Sequence, residues 1–200
     1  RDAALKQGLL TADFTGYGSY GWATTTPVTS LAEAKTVNFR IAQAPVNIDS
    51  YKIWGLKFTV LPWPDVPQAL QTGVINGLDH TPIVCNISKK FNIAKYYTEL
   101  DYAQGLYVHI INKNWLDALP GDLQEILLSV ISEESAKARQ LTRQQQAEQI
   151  AAARQAGVTF LKLNETDHQT LVSKSEQIYT IWGPKIGEDY LAKVREVLGN

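Results

Sequence analysis

Apolar and polar residues repeat with two different periods along this chain, and the switches between them outline its architecture. The stretch "VNFRIAQ" (37–43) alternates residue by residue, as a half-buried strand does, and carries Arg40 near its end. "KFTVLPW" (57–63) and "VINGLDH" (74–80) read as further strands. Between the strands, residues of about 47–55 and 64–72 have helical character. Pro64 suits the first position of the second helix, where a missing N–H is no loss, and Gly73 closes it. Ser30 followed by Glu33 has the spacing of a capping box, which predicts a short helix over "SLAEAK". Strand–helix–strand alternation predicts an α/β fold with a largely parallel sheet.

The flanks follow the same logic. Residues 1–10 look like a helix end closed by Gly8, and "TADFTGYGSYGWATTTPVTS" (11–30) reads as strand and loop. "AQGLYVHIIN" (103–112) and "VTFLKL" (158–163) are strand candidates. After Gly121 no Pro or Gly interrupts the chain until Gly157. Leu123, Ile126, Leu127, Val130 and Ile131 recur there at i, i+3, i+4, i+7 and i+8, one face of a helix. A helix over about 121–156 would be roughly 50 Å long. That is more than one small domain needs, so it is expected to brace two lobes. Residues 166–198 read as helical with a break at Gly183–Pro184. No repeat or low-complexity segment stands out.

Composition narrows the function classes. With 200 residues, 44% apolar and 20% charged, the chain can bury a core of ordinary size. A net charge of −1 without a basic block gives nucleic acid or an anionic membrane surface little electrostatic hold. No apolar run approaches the roughly 18 residues of a spanning helix. Cys85 is the single cysteine, so neither an intrachain disulfide nor a cysteine-based metal cluster is expected. The chain opens on Arg1 and contains no methionine, which reads as part of a longer sequence.

Four segments in order resemble one known family. "LPWPDVPQALQTGVINGLDHTP" is similar to its E-V-Y-x-A-L-Q-x-G-V-V-D-G-x-E-x-P segment, and "SLAEAKTVNFRIAQAP" to its S-L-x-D-x-K-G-L-K-x-R-x-P strand. "FNIAKYYT" resembles F-x-E-V-x-K-Y, and "NKNWLDALPGDLQEIL" resembles N-x-x-x-W-x-x-L-P-x-D-L-Q-x-x-I. The family is that of the solute-binding proteins of TRAP (tripartite ATP-independent periplasmic) transporters, DctP-like. The resemblance implies a two-lobe, class II type periplasmic binding protein fold with a long helix bracing both lobes. It implies a periplasmic protein that closes on an organic acid and hands it to a TRAP membrane permease, without cofactor or catalysis; a few relatives bind a metal ion that bridges the ligand, but no residue pattern here supports a metal site. It also divides the chain: 1–19 as the tail of the first lobe, 20–105 as the second lobe, and 106–200 as the return to the first. Most of the first lobe would lie outside this sequence. Two departures stand out: Thr36 and Asn38 replace Gly and Lys before the arginine strand, and Asn76 replaces Asp in the V-D-G turn.

The resemblance assigns roles to particular residues. Arg40 falls at the family's carboxylate-gripping arginine; a planar, permanently charged guanidinium matches a carboxylate with two parallel hydrogen bonds. Trp63 falls where an aromatic or apolar side chain lies against the ligand body. Asp79 and His80 align with the family's acid and the polar residue after it, and Asp79 could fix the imidazole tautomer or bind backbone N–H groups of the next loop. Gln43, three residues past Arg40, could add a hydrogen bond. Tyr17 and Tyr20 lie on the approach strand, and some relatives carry a second arginine near Tyr20. An aromatic there argues against a sialic-acid-like ligand and for a monocarboxylate with an apolar or aromatic body. Trp63, Tyr17 and Tyr20 equally suit packing, Arg40 alone would suit a strand end at the surface, and Asp79 with His80 would suit a structural pair closing the strand; His109 and His168 have no such context.

Two other readings stay open. A hydrolase could use His80 with Asp79, although no G-x-S-x-G elbow occurs and strand neighbours point to opposite faces. A receptor's ligand-sensing domain could use the same fold.

Overall fold

The structure is a computed structural model that describes residues 2–198. In chain order it runs α1 (Asp2–Leu5), β1 (Leu9–Thr24), α2 (Leu31–Ala34), β2 (Asn38–Ile41), α3 (Pro45–Trp54), β3 (Lys57–Val60), α4 (Val66–Gln71) and β4 (Gly77–His80). Then come α5 (Pro82–Ile87), β5 (Tyr96–Asn112), α6 (Lys113–Asp117), α7 (Gly121–Gln155), β6 (Thr159–Lys162), α8 (Glu165–Ile186) and α9 (Glu188–Leu198). The described strands form one six-stranded sheet in the order β3-β2-β4-β1-β5-β6.

The α/β class is as expected, but the sheet is mixed rather than largely parallel. β2 pairs parallel with β3 and β4, and β5 with β6, whereas β1 runs antiparallel to both of its neighbours. The two antiparallel partners β1 and β5 are the longest strands, of 16 and 17 residues. Only the second half of β5 shows strand periodicity in sequence; its first half, Tyr96 to Tyr102, takes its pairing from β1 and β6.

Local chemistry sets most of the other boundaries. Ser30 and Glu33 close a capping box at the start of α2. Gly55 and Gly73 take left-handed backbone at the ends of α3 and α4. Pro64 sits in a 3-10 turn over Trp63–Asp65, and α4 proper begins two residues later. α8 continues through Gly183–Pro184 and ends only at Gly187, so the expected break is displaced by one turn. The two departures from the family pattern meet each other. The Asn38 N–H donates to Asn76 Oδ1 at 2.6 Å, and the Asn76 N–H to the Asn38 carbonyl at 3.2 Å, which joins β2 to the turn before β4.

Two apolar cores cover the two faces of the sheet. On one, Trp22 is completely buried against Phe39 and Trp54, and its indole N–H donates to Tyr51 Oη at 2.9 Å. On the other, Val66, Ile75, Leu78, Phe91 and Tyr97 pack together. α8 is pinned on α3 by Trp54 Nε1 donating to Ser175 Oγ at 2.9 Å and Trp182 Nε1 donating to Asp49 Oδ2 at 3.1 Å.

α7 has the expected extent, 35 residues or about 52 Å. Arg139 on it reaches Asp13 at 3.0 Å and Thr142 donates to the Gly16 carbonyl at 2.8 Å, so the helix lies across β1. Its apolar stripe, however, is not core: Leu123, Ile126 and Val130 are about half exposed, as are Leu106, Val108 and Ile110 on β5. None of the described helices is long and apolar enough to cross a membrane.

Trp22 joins the sheet to α3, so Trp22→Ala is expected to destabilise the fold by about 3–5 kcal/mol. The shift of the urea midpoint at unchanged slope measures it.

Candidate functional site

The C-terminal ends of β2 and β4, the bulged middle of β1, and α3 and α8 enclose a cavity of about 700 Å³. Of the residues singled out in the sequence, Arg40, Trp63, Asp79, His80, Tyr17 and Tyr20 all line it. Gln43 does not; it is exposed on the bend between β2 and α3.

Arg40 is 6% exposed. Its Nε–H donates to the Leu61 carbonyl at 2.9 Å, which fixes the plane of the guanidinium and leaves the two outer nitrogens for the cavity. The guanidinium carbon stands 5.2 Å from the centre of the Trp63 ring. Among the described residues no carboxylate lies within ion-pair distance of Arg40. Burial lowers its pKa, and the nearby Asp79 charge acts in the opposite sense.

Asp79 is 1% exposed, and its Oδ2 accepts from Asn47 Nδ2 at 2.8 Å and from Tyr102 Oη at 2.7 Å. Burial raises its pKa while these two donors and the Arg40 charge pull it down. Asp79 makes no bond to His80. The imidazole is instead oriented by the next residue, whose Thr81 N–H donates to Nδ1 at 2.9 Å. That contact selects the neutral tautomer with the proton on Nε2. Burial, followed by the Arg40 and Lys90 charges, pushes the His80 pKa down to about 4.

Aromatic rings complete the wall. His80 stacks on Tyr20 at 5.1 Å and meets Trp63 at 4.9 Å and Tyr17 at 5.8 Å. Tyr17 and Tyr20 share a hydroxyl–hydroxyl hydrogen bond of 2.9 Å. In a regular strand residues three apart point to opposite faces. Register shifts between Gly16/Gly18 and Ser19/Gly21 change the phase and bring both rings to the cavity. Gly105 opposite is the floor for the Tyr17 ring, which occupies the space a Cβ would need.

Sequence reasoning missed Asn47, Tyr102 and Trp182, which also face the cavity. Asn47 had a signal, a polar residue in the first turn of the helix after the arginine strand. Tyr102 and Trp182 had none, because long-range pairing and helix packing deliver them. No group of three or more His, Cys, Asp or Glu side chains among the described residues is placed to hold a metal ion.

Residues 1–183 match the family described as bacterial extracellular solute-binding protein, family 7. The chain belongs to that family. It is 30% identical over 121 residues to the ectoine/5-hydroxyectoine-binding periplasmic protein UehA of Ruegeria pomeroyi, covering 60% of this chain and 36% of that protein. It is 25% identical over 171 residues to the C4-dicarboxylate-binding periplasmic protein DctP of Rhodobacter capsulatus, covering 85% of this chain and 51% of that one. A TRAP periplasmic solute-binding protein of Shewanella oneidensis, solved with bound succinate, superposes with a TM-score of 0.85 at 18% identity over 92% of this chain and 61% of that one. The fold is therefore that of the two-lobe TRAP solute-binding proteins, a family of transport rather than catalytic proteins, and the protein is periplasmic. The chain spans about half the length of DctP or less of UehA.

The buried, neutral imidazole carries a pH signature. An unfolded histidine takes up its proton near pH 6.5, whereas the folded His80 resists protonation until about pH 4. The unfolded state binds more protons in that window, so His80 is expected to cost roughly 3 kcal/mol of stability as pH falls from about 7 to 4. Urea midpoints at several pH values check this, and His80→Gln should flatten the profile by that amount.

Proposed function

We propose that the protein captures an organic acid in this cavity, with Arg40 gripping the carboxylate, and delivers it to a TRAP-type membrane permease. The observation that carries the reading is Arg40 itself: a buried guanidinium lining a largely apolar cavity, braced on one nitrogen and, among the described residues, with no carboxylate within ion-pair distance. Such a group matches a carboxylate in geometry and charge, and exclusion of water on closure strengthens the pair. Ectoine, C4-dicarboxylates and succinate, which name or occupy the relatives, all carry a carboxylate.

The finer reading is a monocarboxylate with an apolar or aromatic body. It rests on Trp63, Tyr17, Tyr20 and Tyr102 around the cavity and on the lack of a second lining arginine among the described residues. Asp79 and His80 act as wall and polar contacts rather than as a catalytic pair. Among the described residues no hydroxyl bonds the His80 ring, and Ser50 and Ser175 donate to backbone carbonyls of their own helices. This is why a non-catalytic role is favoured over the hydrolase. The division into 1–19, 20–105 and 106–200 belongs to the same proposal. β1 and β5 would be the long connections between lobes, and the exposed apolar side chains of β5 and α7 suit packing against more of the first lobe.

The test is a thermal-shift screen of the whole protein against organic acids, with neutral sugars as controls. An acid at about a hundred times its Kd should add roughly 2.7 kcal/mol of stability. Arg40→Ala is expected to weaken binding of that acid by about a hundredfold or more, two lost charge-assisted hydrogen bonds. The unliganded fold should lose only about 1 kcal/mol with the Leu61 contact. Undiminished affinity in Arg40→Ala, or a response to sugars alone, sinks the reading.

A further inference from the structure

A second cation stands on the same indole as Arg40. Lys90 follows Lys89, whose left-handed backbone (φ 59°) turns the chain so that Lys89 stays in solvent and Lys90 goes inside, 5% exposed. Its Nζ lies 4.5 Å from the centre of the Trp63 ring and donates to the Ser88 carbonyl at 3.3 Å. Among the described residues no carboxylate comes within ion-pair distance of it. The neighbouring Cys85 supplies no counter-ion, because burial drives its thiol far above the ordinary range. A carbonyl and an aromatic face offset only part of the desolvation of an ammonium.

Lys90 does not line the cavity itself; it stands behind Trp63, which does. Within the lining Arg40 faces the acid Asp79 and His80 is neutral, so the Lys90 ammonium adds a positive charge behind the wall that no described carboxylate pairs. We propose that Lys90 is a specificity-determining residue. Acting through and beside Trp63, its ammonium gives the cavity the net positive charge that selects a singly charged carboxylate over a neutral or zwitterionic ligand of the same shape. Burial and the Arg40 charge both lower the Lys90 pKa, so the ammonium is the form that a bound anion would stabilise. The inference rests on the reading that Arg40 takes the carboxylate, and it adds what decides between ligands that Arg40 alone would accept.

Two variants separate charge from packing: Lys90→Met keeps the apolar stem, and Lys90→Arg keeps the charge. The first readout is quenching of Trp63 fluorescence in the whole protein, taken as the difference between each protein and its Trp63→Phe counterpart. Iodide quenching is expected to fall several-fold in Lys90→Met and to be retained in Lys90→Arg, with quenching by neutral acrylamide unchanged. Iodide and acrylamide changing together, or neither changing, overturns the proposal and leaves Lys90 a packing residue. The second readout is the affinity ratio of benzoate to its uncharged isostere benzamide. It should fall roughly tenfold in Lys90→Met, as for a unit charge about 10 Å away at an effective dielectric of about 20. A ratio unchanged in Lys90→Met but reduced in Arg40→Ala defeats this inference alone. A ratio unchanged in Arg40→Ala defeats the carboxylate reading beneath it. If the wild-type protein takes up neither probe, the quenching result decides.

Discussion

A carboxylate almost wholly withdrawn from water organises this molecule. Asp79, at the end of β4, would be very costly to bury ionised without partners. It is met by Asn47 from the first turn of α3 and by Tyr102 from β5, with the charge of Arg40 on β2 nearby. Two elements that are distant in sequence, α3 and β5, are thus held to one oxygen atom on β4, and the cavity lies beside this junction. The same arrangement keeps Arg40 charged without consuming it. Because Asp79 acts at a distance rather than as a direct ion pair, the outer nitrogens of the guanidinium stay free for another anion.

The aromatic wall depends on a second constraint, the irregular pairing of β1 with β5. Two long antiparallel strands in perfect register would send Tyr17 and Tyr20 to opposite faces. The bulges around Gly18 shift the phase, and the two hydroxyls then bond each other beside His80. Burial of these groups has electrostatic consequences. His80 remains a neutral hydrogen-bonding group, and the Tyr20 hydroxyl is held far from ionisation. The wall is therefore polar in places but carries no charge of its own.

Helices α3 and α8 close the remaining side, and their contact is made by polar anchors on large rings. Trp54 bonds Ser175 and Trp182 bonds Asp49, so each indole satisfies its N–H while its body excludes water. α7, by contrast, is held to β1 by an ion pair and a hydroxyl contact, and much of its apolar stripe faces outward.

The sequence by itself determined what is local. The alternation in "VNFRIAQ" and the run after Gly121 place the ends of β2 and α7 to within two residues. The Ser30–Glu33 spacing places a cap, and four ordered motifs point to Arg40, Trp63, Asp79 and His80. These are legible because strand period, helix period, capping chemistry and motif spacing all act over a few residues. Tertiary structure decided the rest. The antiparallel direction of β1, the inward turn of Tyr17 and Tyr20, and the arrival of Tyr102 and Trp182 at the cavity depend on pairing and packing across long separations. So does the fate of the α7 stripe, whose period says only that one face is apolar, not what covers it. Gln43 stands outside the cavity lining for the converse reason: three residues past Arg40 is close in sequence, but the strand has ended and the chain bends there, leaving Gln43 exposed. Adjacency along a chain constrains direction only while the backbone stays regular, and beyond that the fold chooses.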